Sequence, residues 1–530
     1  MSEQKLYPQF RNAAEFIEFH CNKFSDKPAY HCLGQTLTFA ELEEKSRSLA
    51  KWLQYECGLQ AGDRIAIQLP NITQYPIAAY AALRAGLVVV NTNPLYTPRE
   101  MQHQFSDSGA RALVILSDML PKFEQIKADT GIENVLVTGA ADLIAPPKEK
   151  THGYHDFVAA LEQGAALPKL QPLTATREDI AVLQYTGGTT GVAKGAALTH
   201  ENILANAAQM LDRISQRCAE GEEIFVCPLP LYHIYAFTVN MLALFSLGAM
   251  NILIPNPRDL DGFVKTIEPF QFTGLAGINT LFVGLCRHPG FQALDFSSLK
   301  VTFSGGSALT SAAAELWQSV TRCPVTEGYG LSETSPVATL NTFDAEEIGT
   351  VGSPLLQTKV EAWDEDGNTL PVDEVGELVI SGPQVMLGYW QRPDETAKVM
   401  HNGFFRTGDM GMVQANGNIK IVDRLKDMII VSGFNVYPNE VEDVLTRHPQ
   451  IIEAAVTGTE DDKTGEAVVA HLVLAGDISE QEIVEYCRQE LTGYKVPKHV
   501  IVHKELPKST VGKILRRELR DQPVPAAEPA

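Results

Sequence analysis

Apolar residues recur along this chain with two alternating periods, one helical and one strand-like. Thr38-Phe39-Ala40-Glu41 has the T-x-x-E form of a capping box and predicts a helix whose apolar face is Leu42, Leu49, Ala50 and Leu53. Short apolar runs at 64–69, 112–116, 134–137 and 180–185 read as strands, and segments such as 311–320 as helices. Such alternation predicts an α/β fold with a sizeable parallel component. Near Thr350 the texture changes: 359–363 and 376–381 are short strand runs separated by a turn at 364–368. After Asp423 the pattern predicts a small α+β unit, with a helix near 439–447, strands at 451–457 and 467–474, and a helix at 479–491. The Pro- and Ala-rich end, 521–530, is expected to be a flexible tail.

One uncharged stretch, between Glu223 and Arg258, needs separate treatment. Its most apolar part, from Met241 to Met250, resembles a membrane span in hydropathy, but Pro228, Pro230, Asn240, Gly248 and Asn251 interrupt it. A core helix with a flanking buried strand is the expected structure. Composition agrees, since 45% of the 530 residues are hydrophobic and 20% charged, which excludes a disordered chain. The eight cysteines lie far apart with no C-x-x-C, which excludes a disulfide framework or zinc ribbon and suits a reducing cytosol. No basic-then-apolar leader pattern occurs at the N-terminus, so a cytoplasmic location is expected. A net charge of −22 argues against nucleic acid as a partner and against wholesale adhesion to anionic membranes. Locally the balance reverses, because 494–517 carries seven Lys and Arg against one Glu.

The strand at 180–185 runs into Thr186-Gly187-Gly188-Thr189-Thr190-Gly191-Val192-Ala193-Lys194-Gly195, and a helix is expected to start near Thr199. Small residues let a backbone wrap phosphates closely, and consecutive N–H groups with threonine hydroxyls supply donors. By composition alone the same string suits a plain Gly/Thr loop. A Walker A loop is excluded, because Gly512-Lys513 is followed by Ile514.

This string resembles the Y-T-[ST]-G-T-T-G-x-P-K-G signature of the adenylate-forming superfamily. Gly188 and Ala193 depart from the general pattern in a way that matches bacterial long-chain acyl-CoA synthetases. Further motifs follow in the family's order. Ser304-Gly305-Gly306-Ser307-Ala308-Leu309, after a strand at 300–303, resembles the adenine-contacting segment. Glu327-Gly328-Tyr329-Gly330-Leu331-Ser332-Glu333-Thr334 resembles the Y-G-x-T-E motif, and Gly403-Phe404-Phe405-Arg406-Thr407-Gly408-Asp409 the W-x-x-T-G-D motif. Asp423-Arg424-Leu425-Lys426-Asp427 through Gly433-Phe434-Asn435 resembles the hinge and its following loop. Pro507-Lys508-Ser509-Thr510-Val511-Gly512-Lys513 resembles the C-terminal lysine motif. The likeness to bacterial long-chain fatty-acid–CoA ligases covers nearly the whole chain and is weakest before about residue 60.

The resemblance implies a large N-terminal domain of mixed and parallel sheets with helices and a β-rich subdomain (1–423), then a small mobile α+β domain (424–520). It also implies two half-reactions: a fatty acid and Mg·ATP give acyl-AMP and pyrophosphate, and coenzyme A then displaces AMP. Thr186, Gly187, Gly188, Thr189, Thr190 and Gly191 would cradle phosphates, and Thr186 with Glu333 would hold Mg²⁺, a hard ion suited to oxygen ligands. Gly305, Gly306 and Ser307 would let adenine lie against backbone, with Tyr329 as a stacking surface, and Glu327, Gly328, Gly330 and Ser332 would also bind ATP. Asp409 would accept from the ribose hydroxyls and Arg424 donate to ribose or phosphate. Lys513 would reach the substrate carboxylate and α-phosphate together during adenylation. His233, in the string 229–237, would stand near the reacting carbonyl, and the uncharged segment behind it would line an acyl tunnel; without the resemblance, an isolated histidine on an apolar stretch is more often a packed core residue. Lys426 would be the hinge, and Gly433, Phe434 and Asn435 would face coenzyme A, with Gly433 chosen because a side chain would obstruct the channel.

Three readings compete with this one: an enzyme handing its adenylate to a carrier protein, a non-catalytic relative used as a scaffold, and a membrane protein. Peripheral contact with the inner face of the membrane and a homodimer are both left open.

Overall fold

The computed structural model describes residues 6–145, 153–186, 193–509 and 512–520. Two large sheets build the N-terminal body. The first runs Gly388–Tyr389, Lys194–Thr199, Ile180–Thr186, Val88–Asn91, Arg64–Gln68, Ala110–Leu116, Asn134–Thr138, His155–Asp156. It is parallel from Ile180–Thr186 to the His155 edge, and its two strands beyond Ile180–Thr186 are antiparallel. In the second, the parallel strands Met250–Leu253, Ile224–Cys227, Gly274–Gly277, Val301–Ser304 and Val325–Gly330 form the centre. Parallel strands need long crossovers, and helices supply them on both sheets.

Helices Phe39–Tyr55, Gln74–Arg84 and His200–Ile214 contribute to one continuous core that also holds the uncharged stretch. The first begins as its sequence demands: Thr38 accepts from the Glu41 N–H at 3.2 Å, and Glu41 accepts from the Thr38 N–H at 2.8 Å. Thr199 caps His200–Ile214 reciprocally with Asn202. The uncharged stretch forms helix Ile234–Thr238, a π-helical segment Val239–Leu244 and strand Met250–Leu253, all buried. No described helix is long and apolar enough to cross a membrane.

A third sheet, antiparallel throughout, contains Lys359–Trp363, Gly376–Ser381, Phe404–Val413, Met400–His401 and Ile419–Arg424. The chain then enters a fourth sheet with its own core, built on the long hairpin Ile451–Asp461 and Gly465–Leu474 with helices Pro438–Thr446 and Glu480–Glu490 against it. The hairpin outruns the apolar pattern because polar residues such as Thr459 and Glu460 continue the pairing.

Two helices approach so closely that one position must lack a side chain. In Phe157–Ala166, a Cβ on Gly164 would fall 2.0 Å from the Ser48 carbonyl oxygen of Phe39–Tyr55. Gly164→Ala therefore forces the helices apart, and we expect a loss of about 1–3 kcal/mol despite alanine's better helix propensity. Urea unfolding of the two proteins measures it.

Candidate functional site

Two neighbouring strands of the second sheet, Val301–Ser304 and Val325–Gly330, lead into a cleft shared with the small domain. Val301–Ser304 delivers Gly305, Gly306 and Ser307 into a turn, where Gly306 has φ +82° and Gly305 lies so near Tyr235 that a Cβ would meet its ring at 3.2 Å. The turn ends where the Leu309 N–H donates to Glu327 Oε1 at 3.2 Å. Burial pushes the Glu327 carboxyl up to about 8, against the pull of that N–H. In the next strand, Val325–Gly330, the glycines serve backbone approach: a Cβ on Gly330 would fall 1.9 Å from the Pro336 carbonyl, and one on Gly328 3.0 Å from that of Thr339.

Ser332 and Glu333 lie on the short turn that follows, which packs against Ile180–Thr186 and Lys194–Thr199 and so brings Glu333 to the strand ending in Thr186. Glu333 is buried, and burial raises its carboxyl; the Tyr389 hydroxyl, donating to Oε1 at 2.8 Å, opposes that rise. A buried carboxylate with a hydroxyl donor and, among the described residues, no lysine or arginine paired with it is suited to a hard cation.

On the β-rich sheet, Asp409 and Arg424 are direct cross-strand partners. Arg424 Nε donates to Asp409 Oδ1 at 2.8 Å, and the Tyr329 hydroxyl donates to Oδ2 at 2.5 Å. Both oxygens expected to receive a ribose are thus already oriented by neighbours.

Lys513 comes from the other side, on a tight turn. The Ser509 N–H donates to the Lys513 carbonyl at 2.8 Å, the Lys513 N–H to Ser509 Oγ at 3.1 Å, and Gly512 has φ +83°. The turn touches the large domain: Thr280 Oγ1 donates to the Gly512 carbonyl at 3.2 Å, and Arg258 to that of Ser509 at 3.4 Å. Lys513 is open to solvent within a cleft but enclosed by protein around it. Desolvation, then the charge of Arg424, lowers its ammonium to about 8. His233 feels Lys513 as well: burial, with that positive charge adding, lowers the imidazole to about 4. Its Nδ1 accepts from the Tyr235 N–H at 3.3 Å, which leaves the proton on Nε2.

The cleft encloses about 1740 Å³ between the domains. Gly306, Ser307, Glu327, Gly328, Tyr329, Gly330, Asp409, Arg424, Lys426 and Lys513 all line it. Gly305, Ser332, Glu333, Thr186 and His233 are adjacent in the fold without lining it, and neither do Gly433, Phe434 and Asn435. Gly187, Gly188, Thr189, Thr190 and Gly191 lie outside the described residues. Lys426 sits in the connection between Ile419–Arg424 of one sheet and Ile429–Val431 of the next.

In this pose the Gly433 turn does not line the cleft, and a Cβ on Gly433 would meet nothing within 4 Å. With Ser432 at φ 51° and Gly433 at φ 82°, the pair makes the tight turn between Ile429–Val431 and Phe434–Val436. Within the uncharged stretch, Ile234–Leu244 is buried, in keeping with the core helix expected there.

Sequence reasoning missed Tyr389 and Arg516. Arg516, three residues beyond Lys513, was counted only among the basic residues of its segment. It is mostly buried among acids on both sides of the connection: Nη2 to Glu442 Oε2 at 2.7 Å, Nη1 to Asp423 Oδ1 at 3.1 Å, and Nη1 to Asp427 Oδ2 at 3.8 Å.

A cleft with glycine turns on one wall and a lysine from the small domain on the other fits the adenylate-forming class of enzymes. Residues 17–390 match the family described as AMP-binding enzyme, and 440–513 match the AMP-binding enzyme C-terminal domain; the chain belongs to this family. It is 44% identical to a long-chain-fatty-acid–CoA ligase of Escherichia coli O6:H1, over 97% of this chain and 95% of that one. Identity to a protein of the same name from Bacillus subtilis is 39%, over 94% and 92%. Among solved structures, the anthranilate CoA ligase AuaEII in complex with anthranoyl-AMP is similar, with a TM-score of 0.89, 25% identity and 97% of each chain covered.

Removing Arg516 leaves Asp423 and Glu442 buried without their cation, and burial already raises both carboxyls despite it. Arg516→Ala should cost about 3–5 kcal/mol at neutral pH. The deficit should shrink toward acid, because each carboxylate is relieved on taking up a proton. Calorimetric unfolding at pH about 7 and about 5 measures both.

Proposed function

We propose that the protein is an AMP-forming long-chain fatty acid–CoA ligase. The observation that carries this reading is the position of Lys513, held by the small domain in a cleft beside Arg424 and Asp409 and close enough to lower the proton affinity of His233. Names of relatives at 39–44% identity over nearly the full length support the acyl class.

The first step brings a carboxylate to a polyanionic nucleotide. A carboxylate oxygen attacks the α-phosphorus, the bond to the β-phosphate oxygen breaks, and pyrophosphate leaves. Lys513 and Arg424 place positive charge where anionic charge concentrates, which is the main need of phosphoryl-type transfer. The turn at 305–307 and the strand 327–330 receive adenine, and Asp409 receives the ribose. Neutral His233, with Nε2–H as donor, faces the carboxylate. Thr186 and Glu333 would hold Mg²⁺, which would neutralise phosphate charge and orient the leaving group. In the second step the thiol sulfur of coenzyme A attacks the acyl carbon, the acyl–phosphate bond breaks, AMP leaves and the thiol proton passes to solvent.

We assign nucleotide and acyl binding to 1–423 and delivery of Lys513 to 424–520. Rotation at Lys426 withdraws Lys513 and brings the Gly433–Phe434–Asn435 turn to the cleft. The acyl chain lies along the uncharged stretch that begins at His233. A lipid-partitioning substrate also supports peripheral contact with the inner face of the membrane.

Pyrophosphate release with carboxylates from acetate to oleate, and an aromatic acid, with and without coenzyme A, tests the reading. We expect the highest kcat/KM with long chains and AMP release only with coenzyme A. Preference for an aromatic acid, or acyl-AMP that persists in the presence of coenzyme A, would overturn it. Lys513→Ala should lower ATP–pyrophosphate exchange about 10²–10³-fold. Lys513 is charged below its value of about 8, so kcat/KM for exchange should hold at neutral pH and fall about tenfold per unit above it. Lys513→Arg, charged throughout, should lose that alkaline limb while retaining part of the activity.

A further inference from the structure

Asp443 belongs to the small domain, on helix Pro438–Thr446, yet its carboxylate sits at the start of a helix in the large domain. Oδ1 accepts from the Ser311 N–H at 2.9 Å and from Ser311 Oγ at 2.8 Å. Arg447 closes the group, donating from Nη2 to Asp443 Oδ2 at 2.5 Å and from Nε to Ser311 Oγ at 3.2 Å. Helix Ser311–Thr321 already has its own cap, since Thr310 accepts from the Ala313 N–H at 3.3 Å. The N–H of Ser311, its first residue, has no partner within the helix. A carboxylate from the other domain therefore supplies what the helix lacks, at its positive end.

The location gives this contact its meaning. Ser311 is the residue directly after the turn 305–310, which lines the nucleotide side of the cleft. Thr310 is itself pinned, its N–H and hydroxyl donating to Asn279 Oδ1 at 3.0 and 3.2 Å. A body joined at one connection can still swing about it, so contacts elsewhere must set its angle. The Lys513 turn supplies such contacts, at Thr280 and Arg258, and Asp443 supplies another away from that turn.

We infer that Asp443, Ser311 and Arg447 form an interdomain latch that holds the small domain in the pose delivering Lys513, and that couples this pose to occupancy of the 305–310 turn. Asp443 is a positioning residue, acting through Lys513. The latch serves the adenylation step alone, because any rotation that withdraws Lys513 must break it. By linkage, a pose that favours the turn is favoured in return by whatever the turn binds. The inference rests on the acyl-activating reading of the cleft.

The test uses the full chain and the two half-reactions measured separately. Asp443→Ala should lower kcat/KM for ATP in ATP–pyrophosphate exchange about threefold to tenfold, the scale of one lost cap. The rate from supplied acyl-adenylate and coenzyme A should be unchanged or faster. Asp443→Asn, which keeps an oxygen for Ser311, should recover part of the exchange rate. Equal loss in both half-reactions, or unchanged exchange, would overturn the latch. Tryptic cleavage after Arg424 and Lys426, in the absence of any substrate, separates this idea from the activity itself. Faster cleavage of Asp443→Ala, in a protein whose wild type shows no exchange with any carboxylate, would uphold the contact and sink the activity reading. Equal cleavage rates would count against the latch.

Discussion

Two cations, Lys513 and Arg424, face one another's field in a partly desolvated cleft, and much of the surrounding structure exists to hold them there. Their repulsion is visible in the lowered proton affinity of Lys513, to which burial and then Arg424 contribute. Asp409 offsets part of it, with its orientation fixed by Arg424 and Tyr329. An anion entering the cleft would relieve the rest, so the cleft is electrostatically suited to anions. Holding Lys513 against that repulsion requires a stiff support. The turn bonded to Ser509 provides it locally, and Arg516, locked among Asp423, Asp427 and Glu442, ties the segment to the connection between domains.

The acids around Arg516 change how the basic segment 494–517 should be understood. As a string it looks like a positive funnel in a chain of net charge −22. In space much of that charge is spent on framework: Lys495 pairs with Glu440, Lys498 with Asp461, and Lys508 with Glu453. Lys513 instead meets another cation. Charge along the sequence thus marked the right segment for an incomplete reason, because specificity comes from the residue whose neighbours do not neutralise it.

Elements governed by local rules were legible in the sequence. Capping boxes at Thr38 and Thr199 start helices where the pattern predicts, and the apolar runs at 64–69 and 180–185 are strands. Motif order identified the cleft-lining residues from Gly306 to Lys513. What escaped depends on contacts made across long separations. Tyr389 reaches Glu333 from 56 residues away, and Asp443 reaches Ser311 from 132. No periodicity encodes such meetings, and each side chain alone is an ordinary surface or core residue. Glycines divide in the same way. Gly433 and Gly306 follow from turn chemistry, whereas Gly164 and Gly330 are glycines because another backbone passes within 2.0 Å of where a Cβ would stand.

The uncharged stretch after Glu223 illustrates how one pattern can have two causes. Burial is one cause: Ile234 to Leu244 are buried, and an unpaired charge there would cost several kcal/mol. Its polar members are tied down within that interior, Asn240 Nδ2 donating to Asn251 Oδ1 at 2.9 Å and Thr238 Oγ1 to the Ser335 carbonyl at 2.5 Å. What connects the stretch to chemistry is its first turn, capped by the Nδ1 of His233. That bond leaves Nε2 as the protonated nitrogen and makes the imidazole both the end of an apolar helix and a neutral donor. A group that binds a polar head at His233 therefore has, directly behind it, the part of the protein least able to tolerate charge. Under the proposed function, the head and tail of an amphipathic carboxylate would make use of that juxtaposition.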